Sequence, residues 1–385
     1  MEMTPKISYY SSKTLDMFAR RKQLINELKL ERKSNNPAKD ISVLLLELSI
    51  LKKSLRIQTS LDLETHRNKV IMNALEKRQS IKKARKQLMT RREVYEISTN
   101  DGISFYNELY NMNDNDAKMA KAALSNFKYL DSNKDEVLPF LEDEVSRTLL
   151  SMGRFKMVGP DKMCSDVLRF CGKILIQILT DRFNFYVKNC LTPKEWKKST
   201  ILLLHKKGSK SDISNFRPLS LTSHVYKIFS SLILSRMQNR LQKELCPYQY
   251  GFRKNKSICD AIIVVENILA KAYEYQWEIG VAFLDYTKAF DTIIRERIYE
   301  TLALCGFESQ LIKIIMDLNS DLKANVLGKW VRIEKGVRQG CPLSPVLFII
   351  GLEGIKRLID SKLNNKFAIW GHQYNMICYA DDTAI

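Results

Sequence analysis

Two short apolar runs that each end in aspartate constrain this chain more than any other feature. Val281–Leu284 precedes Asp285, and Met376–Ala380 precedes Asp381 and Asp382. Short apolar runs bounded by polar residues predict buried strands, so the carboxylates are expected to reach a shared cleft. Mg²⁺ prefers oxygen ligands, and three carboxylates can hold two such ions. The pattern favours two-metal nucleotidyl transfer over the turn or helix cap that a lone Asp-Asp pair would indicate.

A segment rich in turn residues, Arg338–Pro345, lies between the two aspartate sites. Gly340 lets the backbone approach a base or sugar closely. Pro345 predicts the first turn of a helix, where its missing N–H costs little. Asp291 is a fourth candidate carboxylate, but we expect it to cap a helix that runs to about Cys305, because Asp accepts hydrogen bonds from free backbone N–H groups. It is therefore not counted as a metal ligand.

Three segments, in order along the chain, resemble motifs A, B and C of reverse transcriptases. The detail is closest to the LINE type, the retrotransposons without long terminal repeats. The segments are Phe283–Asp291, Arg338–Pro345 and Tyr379–Asp382. The resemblance implies an RNA-directed DNA polymerase that transfers a nucleotide from a dNTP to a primer 3′ hydroxyl. It also implies two Mg²⁺ ions as cofactors, with Mn²⁺ as an alternative.

The same resemblance assigns roles to single residues. Phe290 matches the sugar gate, an aromatic residue that packs under C2′ of the incoming nucleotide and excludes a 2′ hydroxyl; an ordinary core aromatic is the alternative. Gln339 and Gly340 match residues that contact the nucleotide. The catalytic metal ligands implied by the match are Asp285, Asp381 and Asp382.

Two upstream segments resemble the fingers of the same family. Ile201–Gly208 predicts a strand followed by a basic turn, and Asn215–Thr222 contains an F-R-P-L-S-L phrase. Arg217 matches the arginine that binds the incoming triphosphate, and an arginine fork suits phosphate oxygens. Lys206 and Lys207 are candidates for the same role. A solvated basic turn is the alternative.

The segment Pro247–Lys254 resembles a Q-x-G-F-R phrase that lies near the template in this family. Basic residues beside aromatic residues fit a groove that follows a nucleic-acid backbone. Arg253 and Lys254 are therefore predicted to contact the template or primer, as is Tyr379. A charged turn without a ligand is the alternative.

The composition agrees with a nucleic-acid partner. The formal net charge is +19, and residues 1–100 hold 22 Lys and Arg against 11 Asp and Glu. A basic excess of this size attracts phosphate backbones regardless of their sequence. The stretch Val70–Glu93 lacks Gly and Pro and predicts a long basic helix, which lies either against RNA or in solvent.

The predicted fold is α+β: right-hand polymerase fingers and palm, preceded by a basic helical arm. The predicted boundaries are 1–100 for the arm, 101–135 for a linker, 136–280 for the fingers and part of the palm, and 281–385 for a palm with motifs A, B and C. The palm is expected to contain a ferredoxin-like sheet backed by helices.

The position of Asp382, three residues before the last residue of the sequence, leads to a further expectation. A polymerase palm continues with the second strand of the Asp-Asp hairpin and is followed by a thumb. Without these parts the Tyr379 strand would lack a partner, the site would be poorly fixed, and the chain would be weak or inactive.

Other sequence features bear on the cellular compartment and on the partners of the protein. No apolar run approaches the roughly 20 residues of a membrane span, and the start of the chain is polar, unlike a signal peptide. Eight scattered cysteines without C-x-x-C spacing indicate reduced thiols in a nuclear or cytoplasmic protein. The expected partners are an RNA template, a DNA primer and dNTPs, with no membrane, and with an element-encoded endonuclease lost or on a separate piece.

Two other functions stay open at this point. One is a non-catalytic nucleic-acid-binding remnant that uses only the arm and the fingers. The other is an RNA-templated RNA polymerase. Related RNA polymerases usually carry an acid at the position of Phe290 and Gly before Asp-Asp, so Phe290 and Ala380 favour DNA synthesis.

Overall fold

The computed structural model describes residues 10–31, 41–76, 97–130, 136–362, 367–369 and 372–385. The chain divides into two compact units, Met1–Val94 and Tyr95–Ile385. Of the predicted basic helix Val70–Glu93, residues 77–93 lie outside the described part. Among the described residues, no helix is both long and apolar enough to span a membrane.

The first unit contains an antiparallel pair of helices, α1 (Ser12–Glu31) and α2 (Ile41–Glu76). Leucines at helical spacing on each helix face the other helix and exclude water between them. The buried residues of this small core are Leu24, Leu28, Leu44 and Leu48. The described residues 12–31 and 41–76 of the predicted arm are thus helical.

Asp62 in α2 binds the beginning of α1. Its carboxylate accepts hydrogen bonds from the Ser11 N–H at 2.8 Å and from the Thr14 hydroxyl at 2.7 Å. These donors, the Ser11 N–H foremost, lower the pKa of Asp62 to about 2. The contact joins the first turn of one helix to the second half of the other.

The second unit is a mixed α+β body, as the sequence predicts. Its helices are α3 (Thr99–Tyr110), α4 (Asp114–Leu130), α5 (Glu142–Ser151), α6 (Ser165–Phe170), α7 (Gly172–Asn189), α8 (His224–Glu244), α9 (Ile258–Glu274), α10 (Ala289–Thr292), α11 (Arg295–Leu304), α12 (Ser309–Leu318) and α13 (Ser344–Lys362). Its strands are β1 (Lys198–His205), β2 (Phe216–Leu221), β3 (Phe283–Leu284), β4 (Leu322–Val326), β5 (Lys329–Ile333), β6 (Phe367–Ile369), β7 (His372–Tyr374), β8 (Ile377–Tyr379) and β9 (Asp382–Ala384).

The largest hydrophobic core lies around α8, α12 and α13. Ser223 caps α8 by accepting a hydrogen bond from the Val225 N–H, and the helix buries apolar residues at 3–4 residue steps. Pro345 occupies the first turn of α13, as predicted. The fully buried residues of α8 include Ile228, Phe229, Ile233 and Met237.

Arg338, the first residue of motif B, is buried within this core. Its guanidinium donates to the carbonyl oxygens of Trp196 at 2.7 Å and Leu318 at 3.0 Å. It also lies 4.2 Å from the centre of the Tyr226 ring, a cation–π arrangement. The residue therefore fixes the start of motif B to the helical core.

Two sheets bring the motifs together. The four-stranded sheet has the order β2-β1-β4-β5, and the three-stranded sheet has the order β3-β9-β8. In the second sheet Phe283 pairs with Ala384 and Tyr379 pairs with Asp382, both antiparallel. Asp285 therefore follows β3 at the end of the sheet where the turn between β8 and β9 lies.

This sheet corrects the expectation of an unpartnered hairpin strand. β9 is the second strand of the hairpin, and β3 pairs with its other edge. The expected burial of the run before Asp285 is also wrong, because Phe283 is 77% exposed. β3 is the edge strand of this sheet, and both of its residues are exposed.

The stretch predicted as a linker, 101–135, consists of α3 and α4 and a short connection over its described residues. Tyr106 and Tyr110 of α3 are buried in a second core together with residues of β1, β4 and β5. The side chain of Asn126 in α4 donates to Glu300 of α11. The second unit thus begins at Tyr95 and includes both helices.

Candidate active site

A cavity of about 470 Å³ lies where the two sheets and motif B meet. Acidic, basic and aromatic side chains share its wall, which suits a ligand that carries phosphates and a flat ring. The residues that matter below are Lys206, Arg217, Asp285, Lys288, Phe290, Asp291, Gln339, Gly340 and Asp381.

Asp285 and Asp381 line this cavity from two different motifs. Asp381 lies in the tight turn between β8 and β9, in which Ala380 has a positive φ of 58°. Asp382 is the first residue of β9, is exposed, and lies outside the cavity lining. The structure therefore brings two of the three predicted carboxylates together. Within its described residues, it contains no ready cluster of three His, Cys, Asp or Glu ligands.

Asp291 does not cap a helix, contrary to the prediction. It lies inside the short helix α10, and α11 begins only at Arg295, after Ile294, which makes no side-chain capping bond. The Asp291 side chain is buried instead and accepts a hydrogen bond from Gln339 Nε2 at 2.8 Å. Burial raises the pKa of Asp291 to about 7, although Lys288 and Gln339 oppose the shift.

Motif B docks on β2 through its backbone. The carbonyl of Gln339 accepts a hydrogen bond from the Ser220 N–H at 2.7 Å. Gly340 has a φ of 109°, and a Cβ at this position would lie 2.9 Å from the Ser220 carbonyl oxygen. Glycine is therefore required here both by backbone conformation and by space. Gln339 reaches the cavity wall at the same place.

Phe290 is held by other aromatic residues. Its ring stacks on Phe348 with 4.4 Å between centroids, and Phe252 meets it edge-on at 6.1 Å. Such pairs fix ring orientation beyond what burial alone provides. One part of the ring still lines the cavity, where a nucleotide sugar would meet it under the sugar-gate prediction.

The basic wall of the cavity comes from the β1–β2 region and from motif A. Arg217 pairs with Leu204 across the two strands, and its side chain is exposed toward the cavity. Lys206 lines the cavity as well, whereas Lys207 is exposed and does not line it. The prediction of a triphosphate contact thus has geometric support for Arg217 and Lys206 only.

Lys288 is a cavity residue to which the sequence assigned no role. Its ammonium nitrogen lies 3.9 Å from the centre of the Phe105 ring, and burial lowers its pKa. The sequence could have indicated a role for Lys288, because this lysine is part of motif A, Phe283–Asp291. Its contact with Phe105 could not be foreseen, because α3 was assigned to a linker.

Arg253, which the sequence predicts to contact the template, forms hydrogen bonds within the protein instead. Its guanidinium donates to the carbonyl oxygens of Cys246 at 2.9 Å and Gln242 at 3.1 Å. It therefore ties its own loop to the end of α8. Lys254 is exposed on that loop and Tyr379 is half-buried in β8, and their contacts with template or primer remain predictions.

The family of this domain follows from comparison with known proteins. Residues 204–385 match the family model described as reverse transcriptase (RNA-dependent DNA polymerase). This part of the chain, residues 204–385, is a reverse transcriptase domain. The match begins at the end of β1 and includes every cavity residue discussed above.

Three of the similar curated proteins are named for a transposon, a mobile element and a retrotransposable element. The chain is 28% identical over 234 residues to the transposon TX1 uncharacterized 149 kDa protein of Xenopus laevis, covering 58% of the chain and 18% of that protein. It is 27% identical over 235 residues to the RNA-directed DNA polymerase from mobile element jockey of Drosophila melanogaster, covering 58% and 25%. A third relative is the Pol polyprotein of the type-1 retrotransposable element R2 of Nasonia vitripennis, 25% identical over 59% of the chain and 22% of that protein. The aligned part of the chain thus spans a quarter or less of each of these relatives.

Proposed function

We propose that this chain catalyses RNA-directed DNA synthesis, the transfer of a nucleotide from a dNTP to a primer 3′ hydroxyl. The observation that carries the proposal is that Asp285 and Asp381, from two separate motifs, line one cavity with Arg217 and Phe290. Residues 136–280 would serve as fingers and part of the palm, and 281–385 as palm. The relatives named as RNA-directed DNA polymerases support the same activity.

The donor set fits Mg²⁺. Proteins usually bind this ion through one or two carboxylates together with water and substrate phosphates, so two cavity carboxylates suffice before the nucleotide arrives. Asp285 and Asp381 would hold the ions, and Asp382 would join them from the adjoining strand. When bound there, the ions would supply Lewis-acid chemistry for the primer hydroxyl and the pyrophosphate leaving group; Mn²⁺ would serve as an alternative.

The remaining cavity residues would bind and orient the nucleotide. Arg217 presents a planar fork to phosphate oxygens, and Lys206 adds a second positive charge beside it. Phe290, fixed by its aromatic neighbours, would lie under C2′ of the sugar. Gln339 and Gly340 would also contact the nucleotide, with the Gln339 amide oriented by Asp291.

The nucleic-acid partners follow from charge and from the family. A net charge of +19 provides strong, salt-sensitive attraction to phosphate backbones. An RNA template and a DNA primer are the partners that the proposed reaction requires. Besides the cavity, the basic first unit with its helix pair is a candidate surface for binding RNA.

The test is primer extension on an RNA template with dNTPs and Mg²⁺. Product that disappears in the Asp381→Ala/Asp382→Ala variant, but persists with Asp321→Ala, would support the proposal, because Asp321 is an exposed aspartate outside the cavity. Ribonucleotides in a parallel reaction test the RNA polymerase alternative.

The same experiment separates the enzyme from a non-catalytic binder. Salt-sensitive RNA binding without any carboxylate-dependent product would refute the proposed activity and favour the remnant. The pairing of β9 with both β8 and β3 supports a site in which the turn of Asp381 is fixed beside Asp285.

A further inference from the structure

Gln249 is buried against the turn that carries Asp381, with 0% of its surface exposed. Its Oε1 accepts hydrogen bonds from the Ala380 N–H at 3.0 Å and the Gly251 N–H at 2.9 Å. Its Nε2 donates to the Ala380 carbonyl oxygen at 3.4 Å. One side-chain amide therefore binds both polar groups of the Ala380 backbone.

The backbone around Gln249 extends the same contact. The Tyr250 N–H donates to the Cys378 carbonyl at 2.8 Å, and the Cys378 N–H donates to the Tyr248 carbonyl at 2.9 Å. Residues 248–250 thus cover the edge of β8 that β9 leaves free. Gly251 packs directly on the Ala380 backbone nitrogen, where a Cβ would clash.

The turn needs such support. Ala380 has a positive φ of 58°, a conformation that costs energy for a residue with a Cβ. Conformations of this kind persist when the surrounding structure over-determines them. Asp381 follows immediately, so the direction of its carboxylate depends on whether this conformation is kept.

We propose that Gln249 is a positioning residue for Asp381: its amide fixes the Ala380 backbone and thereby aims the carboxylate into the cavity. Gln249 does not line the cavity itself, so it acts through the turn and not on the substrate. The catalytic consequence of this inference rests on the proposed function. The hydrogen bonds by which Gln249 holds the Ala380 backbone, here called the clamp, can be tested without any activity.

The experiment compares Gln249→Met, which keeps the length of the side chain but removes its hydrogen bonds, with Gln242→Met as a matched control on the exposed face of α8. Hydrogen exchange of the segment 377–383 reports the turn directly. In Gln249→Met we expect this segment to exchange about tenfold faster, since it loses a buried acceptor. The control should exchange like the wild type.

Primer extension supplies the second measurement. Gln249→Met should extend about 100-fold more slowly, the loss typical of a misplaced catalytic group, and should need more Mg²⁺ for its half-maximal rate. RNA binding should stay as in the wild type, and thermal stability should fall only by what the lost hydrogen bonds contribute. Gln249→Glu keeps the acceptor oxygen for both N–H groups, so it should retain slow exchange of the turn.

Three results separate the inference from its alternatives. Unchanged exchange of 377–383 in Gln249→Met would overturn it, and so would a parallel loss of thermal stability and RNA binding, which would make Gln249 a general fold residue. If the wild type itself gives no carboxylate-dependent product, the proposed function fails, but faster exchange of the turn would still establish the clamp.

Discussion

The buried pair of Asp291 and Gln339 should make the stability of the protein depend on pH near neutrality. Burial raises the pKa of Asp291 from 3.8 to about 7. A carboxyl with a raised pKa binds its proton more tightly in the folded state, so stability falls as pH rises from the unfolded pKa to the folded one. Between pH 5 and pH 8 this linkage corresponds to a loss of about 3 kcal/mol.

Asp291→Asn should remove this dependence. Asparagine cannot ionise, and its side-chain oxygen can still accept the Gln339 amide hydrogen. The variant should therefore gain stability relative to the wild type as pH rises, by about 3 kcal/mol between pH 5 and pH 8. A change of this size is a large part of the 5–15 kcal/mol that typically stabilises a domain.

The assay is urea unfolding of the full chain at pH 5, 6, 7 and 8, followed by tryptophan fluorescence. Asp321→Asn serves as the control, because this aspartate is exposed, and it should show the pH dependence of the wild type. If the stability difference between wild type and Asp291→Asn is the same at pH 5 and pH 8, Asp291 does not take up a proton on folding, and the reasoning from burial is refuted.

Three further changes test other parts of the structure. Phe290→Ala removes the ring that stacks on Phe348 and should lower the preference for dNTPs over rNTPs by about 10- to 100-fold, measured in competing incorporation assays; an unchanged ratio would contradict the sugar-gate role. Arg217→Lys loses the planar fork and should raise the KM for dNTP about tenfold with a smaller effect on kcat; steady-state kinetics with an unaltered KM would exclude the triphosphate contact. The lowered pKa of Asp62 stabilises the folded helix pair above the ordinary pKa of 3.8, and this stabilisation is lost as pH falls through about 2. Asp62→Asn should therefore speed hydrogen exchange over residues 12–31 at pH 7, and the difference from the wild type should shrink as pH is lowered toward 2.

Local sequence was enough to predict the strand ends and the shared cavity. Apolar runs that end in aspartate specify where β3 and β8 end, and the glycine and proline of motif B specify a turn before α13. Those properties depend on neighbouring residues. The positions of Asp285 and Asp381 in the cavity follow from where β3 and β8 end.

Roles that depend on distant partners were missed. The sequence predicts a cap at Asp291, because nothing nearby indicates that Gln339, 48 positions away, donates to it. Gln249 and Ala380 are 131 positions apart. The stretch 101–135 looked like a linker because of its turn residues, but the aromatic side chains of α3, such as Tyr106, gain enough from burial to hold it in the core.

The three-residue strand β9 also has a kinetic consequence. It is held by β3, about 100 residues earlier in the chain, and the adjoining turn is held by Gln249, so the hairpin depends on contacts with large sequence separation. Such contacts form slowly, because closing long loops costs entropy before any contact repays it. The helices around α8 can form earlier from local contacts. Until the hairpin has closed against β3, Asp381 does not lie beside Asp285.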